Sequence, residues 1–313
     1  MHYIRLGVSL VCAVVWLLSI LLALPGAPYW LLLLTTIAMM TPWRGILFMC
    51  LYKVGIHQPK WRTKLAPLAQ RWPAFAAFLK AEKPQGIPLQ KVPSINLLLL
   101  NVYTYNEDIA KQVGFLKKQT ADVIALCEVN SKMHAALAQL KAEYPHQCMI
   151  AISDTVLGYG MAILSKVPVK HVKTDANGRM VHYEVYHPHG TFHFVHLHPH
   201  APFTPQRVDK RNAITDLVRH VKSPYPVVVG GDFNNVPWDV HVRKVCQAQG
   251  LKVASLPLAT LPAEHRFFKW TFKLVPVAPF DFALVPEGAT VYTAQALRAP
   301  DTDHLGYQLS FSL

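Results

Sequence analysis

CxxC pairs, repeats and low-complexity tracts are missing from this chain of 313 residues, and each absence argues against a class of protein. Its five cysteines, at positions 12, 50, 127, 148 and 246, are odd in number and form no CxxC pair. Two of them fall within long apolar runs, so a disulfide scaffold is not expected. No thiol has the setting of a nucleophile either, since Cys127 lies inside the apolar stretch "DVIALCEVN" and reads as core. Acidic residues are scarce where basic ones are not. Residues 1 to 85 hold nine Lys or Arg against one acid, a net of +8, whereas residues 86 to 313 hold 22 against 17, a net of +5. The overall +13 is therefore concentrated in the first part of the chain. The remainder lacks the long basic stripe interleaved with aromatics that marks many nucleic-acid binders.

Charge is absent altogether from Leu6 to Leu24, 19 residues that equal about one bilayer crossing in helical rise. "PGAP" breaks the run at 25–28, and a second apolar stretch covers 29–52, interrupted only by Pro42 and Arg44. The first run is longer than a signal-peptide core, and no small-residue cleavage site with a polar sequel comes after it. Residues 1–55 are thus predicted to be a membrane anchor of two helices, about 6–24 and 29–52. Residues 56–90 form a basic juxtamembrane linker, with Lys53 just before it and Lys60, Arg62, Lys64, Arg71, Lys80 and Lys83 within it. Basic flanks mark the cytoplasmic side and attract anionic head groups. The expectation is an integral protein of a bacterial inner membrane with its globular domain, residues 91–313, in the cytoplasm.

Within that domain short apolar strands alternate with helical stretches. "SINLLLLNVYTYN", "ADVIALCEV", "MAILS", "MVHYEVYH", "TFHFVHLH" and "PVVVGGDF" read as strands, and "EDIAKQVGFLKKQT", "SKMHAALAQLKAEYP" and "PQRVDKRNAITDLVRHV" as helices. The order, with several hairpin-like returns, predicts mixed sheets in an α/β domain. Several strands end in groups that do chemistry: Asn101, Glu128, His198, Asp232 with Asn234, Asp281, and Asp303 with His304. Each alone has an ordinary reading as a turn or capping residue. Together they supply hard oxygen donors for a divalent ion, Mg²⁺ with Mn²⁺ as the alternative, and two imidazoles for proton transfer. Seven histidines crowd residues 182 to 200, and His196, His198 and His200 alternate. A zinc cluster is the competing reading of that stretch, but one alternating strand does not supply the convergence from several segments of a closed zinc site.

In order, "LNVYTYN", "DVIALCEVN", "GYGMAILSKVPV", "FVHLHPHAP", "VVVGGDFNNVPW", "FDFALV" and "TDH" resemble the blocks of the endonuclease/exonuclease/phosphatase superfamily, the DNase I-like group. The resemblance spans roughly residues 94 to 313, and the apolar prefix resembles a bacterial branch with N-terminal transmembrane helices. It implies an α/β fold, a two-sheet sandwich flanked by helices, and a metal-dependent phosphoric ester hydrolase. It also implies roles. Glu128, Asn101 and Asp303 resemble the metal-side residues. Asp232 resembles the carboxylate that orients or deprotonates the attacking water, and Asn234 its phosphoryl-contacting neighbour. His304 resembles the histidine that contacts the scissile phosphate, with Asp281 behind it, and His198 matches the histidine of DNase-like members. Thr302 replaces the usual Ser before the terminal Asp-His, and no carboxylate partner for His198 is evident. The Gly230-Gly231 pair would let the backbone approach a ligand. The expected function is activated-water hydrolysis of a phosphodiester of nucleic acid by a membrane-tethered domain. A lipid head-group phosphodiesterase or phosphatase acting on phospholipid is the alternative, and a catalytically silent membrane-bound binding module is a third reading.

Overall fold

The structure, a computed structural model, describes residues 93–152, 160–267, 270–273, 276 and 278–313. The expected membrane anchor and basic linker lie outside the described residues. Among those described, no helix is long and apolar enough to cross a membrane.

Two six-stranded sheets dominate. The first runs β13-β14-β1-β2-β4-β3 and the second β5-β6-β7-β8-β12-β9. In the first sheet β1 (Ile95–Asn101), β2 (Val123–Val129), β4 (Gly160–Ser165) and β14 (Leu305–Ser312) are central, with β3 (His146–Ala151) and β13 (Thr290–Arg298) at the edges. In the second sheet β6 (Met180–His187), β7 (Gly190–Leu197), β8 (Val227–Asp232) and β12 (Asp281–Pro286) lie inside β5 (Val169–Thr174) and β9 (Leu251–Val253). A separate hairpin joins β10 (Glu264–Phe267) to β11 (Trp270–Lys273).

The leucine run of β1 explains the layering. Leu97 and Leu99 join Val123, Ala125 and Ile163 in the core shared with Tyr183, Phe192, Phe194 and Phe282 of the second sheet. Leu98 and Leu100, pointing the other way, join Ile124, Leu126 and Leu164 under helices α1 (Ile109–Lys117) and α2 (Ser131–Leu137) through Val113, Leu116, Met133 and Leu137. A strand buried on both faces reads as an unbroken apolar run, and this is the sandwich-with-helices arrangement expected. Helices α3 (Pro205–Leu217) and α4 (Val240–Gln249) add Ile214, Val242 and Val245 to the first core. Each helix start is capped by a side chain accepting a backbone N–H: Asp108, Asn130, Thr204 and Asp239. Such caps are each worth about 1 kcal/mol.

Strand direction then gathers the chemistry. β1 pairs parallel with β2, and β7 parallel with β8, so each pair finishes at one edge of its sheet. β14 runs antiparallel to β1 and β12 antiparallel to β8, so both begin at that edge. Residues ending β1, β2, β7 and β8 therefore meet residues preceding or opening β12 and β14. The glycine pair serves this packing and not ligand approach. A Cβ on Gly230 would lie 2.9 Å from Leu99 Cδ1, and one on Gly231, where φ is +142°, would lie 2.1 Å from the Leu197 carbonyl oxygen. The expectation of an open backbone at this pair is corrected: protein atoms fill the space on both residues.

Candidate active site

Asn101 is the hub of the site. Its Nδ2 donates to Glu128 Oε1 and to Asp232 Oδ2, both at 3.1 Å, so one buried amide bridges the two sheets. The Tyr103 backbone N–H donates to Asn101 Oδ1 at 2.9 Å, which fixes the amide orientation and turns its donors toward the carboxylates. Glu128 Oε2 accepts from the Thr104 N–H at 3.0 Å. Its side chain is aimed there by an irregularity: the β2–β4 register shifts between Leu126 and Val129, and Glu128 has φ +60°. Tyr103, Asn234 and Asp301 are the other non-glycine residues with positive φ among those described, and all lie in the loops of this edge. Strained backbone concentrated at one place is a mark of functional sites.

Asp281 and His304 form a short polar contact, His304 Nδ1 to Asp281 Oδ2 at 2.7 Å, with both side chains buried. The far ring nitrogen, Nε2, lies 3.8 Å from Asp232 Oδ2. Burial opposes a charge on His304, yet Asp281, followed by Asp232, outweighs it and pushes the imidazole up to about 10. The Asp281 backbone N–H donates to Thr260 Oγ1, and the other carboxylate oxygen, Oδ1, is buried with no hydrogen-bond partner. Thr302 donates to the Asn101 carbonyl at 2.7 Å and accepts from the His304 N–H at 3.2 Å, so the hydroxyl standing in for serine ties β1 to the segment carrying Asp303 and His304.

Asp232 closes β8 directly opposite Asp281 in the antiparallel register. Burial raises its carboxyl above the ordinary range while His304 pulls it back. Asn234, at φ +46°, donates its N–H to Asp232 Oδ1 at 2.8 Å and its Nδ2 to the Pro199 carbonyl at 3.1 Å. His198 has the acidic neighbours that the sequence did not reveal: Nε2 lies 3.7 Å from Glu128 Oε1 and 3.8 Å from Asp232 Oδ2. Burial nevertheless pushes its imidazole down against the pull of those carboxylates, so His198 is the neutral ring of the pair. Asp303 sits beside this group, and burial pushes its carboxyl up to about 6.

All eight predicted residues thus gather at one edge. The three histidines that alternate in sequence do not converge on a common point. His196 turns into the core against Cys127, Nε2 to Sγ at 3.3 Å, where burial holds the ring down at about 3 and the thiol well above its usual range. Among the described residues, the one set of three convergent ligand-capable side chains is Asp232, Asp281 and His304, not a histidine cluster. Sequence reasoning missed the residues that brace the site from behind. Arg211 of α3 donates Nη1 to the Asn234 carbonyl at 3.2 Å, and buried Arg179 donates Nη1 to the His198 carbonyl at 3.1 Å. The signal present in the sequence was an arginine within the polar helix that follows His198 and another at a strand start.

Residues 98–304 match the model of the Endonuclease/Exonuclease/phosphatase family. The chain belongs to this family. Membership makes the domain one of a group of phosphoric ester hydrolases. Solved structures with the same fold include an endonuclease/exonuclease/phosphatase from Beutenbergia cavernae, 15% identical over 71% of this chain and 72% of that one, TM-score 0.55. The human Nocturnin catalytic domain with bound sulfate is 16% identical over 70% and 94%, TM-score 0.54. D. rerio TDP2 in complex with a single-strand DNA product is 16% identical over 71% and 100%, TM-score 0.52. At such identities the likeness is one of fold. No curated protein matches the sequence.

Proposed function

We propose that this family member is a membrane-tethered, Mg²⁺-dependent phosphodiesterase acting on nucleic acid. The observation that carries the chemistry is the buried Asp281–His304 pair, 2.7 Å apart, whose free ring nitrogen faces Asp232. A phosphodiester resists attack because its oxygens are negative, so a site must offset charge and supply a base for water.

The donor set suits a hard cation. Glu128, Asp232 and Asp303 share this edge, and among the described residues no Lys or Arg pairs with any of them. Three carboxylates packed together, with the cationic His304 imidazole beside them, are the oxygen-rich environment that Mg²⁺ or Mn²⁺ takes. Glu128 and Asp303 would hold the ion, with Asn101 orienting Glu128 through Nδ2. When bound, the ion would polarise a phosphoryl oxygen and offset its charge. Asp232, buried and raised above the usual carboxylate range, takes the proton of the attacking water. His304, held charged by Asp281, donates to the phosphoryl oxygen as negative charge grows, and Asn234 adds a neutral donor. His198, neutral and flanked by Glu128 and Asp232, has an auxiliary part in proton transfer.

The tether rests on the two apolar runs before residue 53, the first uncharged and the second broken only by Pro42 and Arg44. They also favour a second reading, a phosphodiesterase of lipid head groups. A hydrolysis panel on the full chain in detergent separates the two, offering plasmid DNA, single-stranded nucleic acid, sphingomyelin and phosphoinositides with Mg²⁺. Turnover of polynucleotide is expected, and turnover confined to the lipids would replace nucleic acid with the second reading.

A further inference from the structure

Helix α3 leaves the active-site edge carrying an unusual row. Arg211 is fastened at the mouth, donating Nη1 to the Asn234 carbonyl and Nε and Nη2 to Asn212 Oδ1 at 3.1 and 2.9 Å. Arg207 stands one turn earlier on the same helix face and is exposed. Its guanidinium carbon lies 5.9 Å from the centre of the Phe203 ring, and Phe203, in the loop that follows His198, is 80% exposed. Among the described residues no carboxylate lies within salt-bridge distance of either arginine. A single exposed aromatic is ordinary on a protein surface. One stacked on an unpaired guanidinium, in line with a second guanidinium that touches a catalytic loop, is a ligand surface.

We propose that Phe203, Arg207 and Arg211 form a track for a single polynucleotide strand flanking the scissile phosphate, an assignment that deepens the nucleic-acid reading above and rests on it. The two arginines are separated by about 6 Å along the helix, at 1.5 Å per residue, a step that suits consecutive phosphates of an extended strand. A single-phosphate head group such as that of sphingomyelin would leave Arg207 idle, a polyphosphorylated inositol would leave Phe203 without a base to stack, and a duplex would hide the base faces that Phe203 is placed to meet. Cationic side chains along the backbone with aromatic platforms for bases are how single strands are held without sequence preference.

The test is fluorescence anisotropy of a labelled single-stranded oligonucleotide titrated with the full chain in detergent, in an Asp232→Asn background so that no turnover intervenes. Phe203→Ala and Arg207→Gln should each weaken binding about tenfold. Arg207→Gln should also flatten the dependence of log K on log salt by about 0.7, the contribution of one phosphate contact on a single strand, whereas Phe203→Ala should leave that slope intact. Oligonucleotide affinity that stays within twofold of the parent in both variants overturns the track. So does a loss seen only for phospholipid in mixed micelles, which would make the patch a lipid contact. Hydrolysis of bis(p-nitrophenyl) phosphate by the otherwise unaltered chain judges the catalytic reading separately. Failure there, with variant-sensitive oligonucleotide binding, removes the chemistry and retains the track.

Discussion

Replacing Asp281 by Asn exchanges a carboxylate oxygen for an amide nitrogen in a buried side chain and should cost more activity than any other change of its size. Asp281 Oδ2 accepts from His304 Nδ1 at 2.7 Å, and its other oxygen has no hydrogen-bond partner, so the full carboxylate charge bears on the ring. That charge is the largest of those holding His304 at about 10 against burial, and moving an imidazole from its ordinary 6.5 to that value corresponds to about 5 kcal/mol in favour of the cation. The amide removes the dominant part of this preference and offers an N–H where His304 needs an acceptor. The ring then presents the wrong protonation state to the phosphate. Turnover should fall by about 10⁴, the loss found when the carboxylate of a carboxylate–imidazole pair is made neutral. The assay is kcat on bis(p-nitrophenyl) phosphate, with circular dichroism to confirm the fold. Adding His304→Ala to Asp281→Asn should cost little more, because residues acting as a unit are strongly non-additive. Activity within tenfold of the parent, or multiplicative losses in the double variant, would refute the pairing.

Gly231→Ala should lower stability on the order of 3 kcal/mol, since φ there is +142° and a Cβ would lie 2.1 Å from the Leu197 carbonyl oxygen. A thermal midpoint close to the parent's would contradict that. Asp122 tests a charge remote from the catalytic edge. Burial works against its ionised form, but His187 and the two Asn96 N–H groups outweigh it and hold the carboxyl below its usual value. A lowered carboxyl contributes stability above its unfolded value near 3.9 and loses it as pH falls through the folded one. Asp122→Asn should therefore destabilise at about pH 7 and cost almost nothing at about pH 2; an equal cost at both would show that charge is not what Asp122 supplies. For the proposed anchor, carbonate washing should leave the protein in the membrane pellet, and release by salt alone would assign the attachment to the basic cluster.

The site was legible in the sequence because its residues stand where apolar runs stop. "INLLLLN" and "VVVGGD" are buried almost throughout, so the polar residue that ends each marks the sheet edge. The neighbours of His198 were not legible, since Glu128 reaches it through a register shift and a left-handed backbone that no apolar pattern encodes. The bracing by Arg211 was hidden for a related reason: helical spacing shows which face is buried, not which carbonyl a long side chain meets. The edge strand β5, "VKHVKT", is largely exposed and carries too little apolar signal to be read as a strand. The short helix α4 offers only Val242 and Val245 to the core, too few apolar positions to mark a helical period. Gly230 and Gly231 read as an opening for ligand, although the tight contact of β8 with Leu99 and β7 is what requires them.

The most direct measurement is phosphodiester turnover by the full chain after exhaustive metal removal, followed by titration with Mg²⁺ in the parent and in Glu128→Gln. The proposed mechanism predicts no turnover of the metal-free protein, recovery with Mg²⁺, and a Glu128→Gln variant that needs far more Mg²⁺ and remains slower, because the amide keeps the shape but not the charge that holds the ion. Full turnover in EDTA by the metal-stripped parent, or a Mg²⁺ response unchanged in Glu128→Gln, would contradict it.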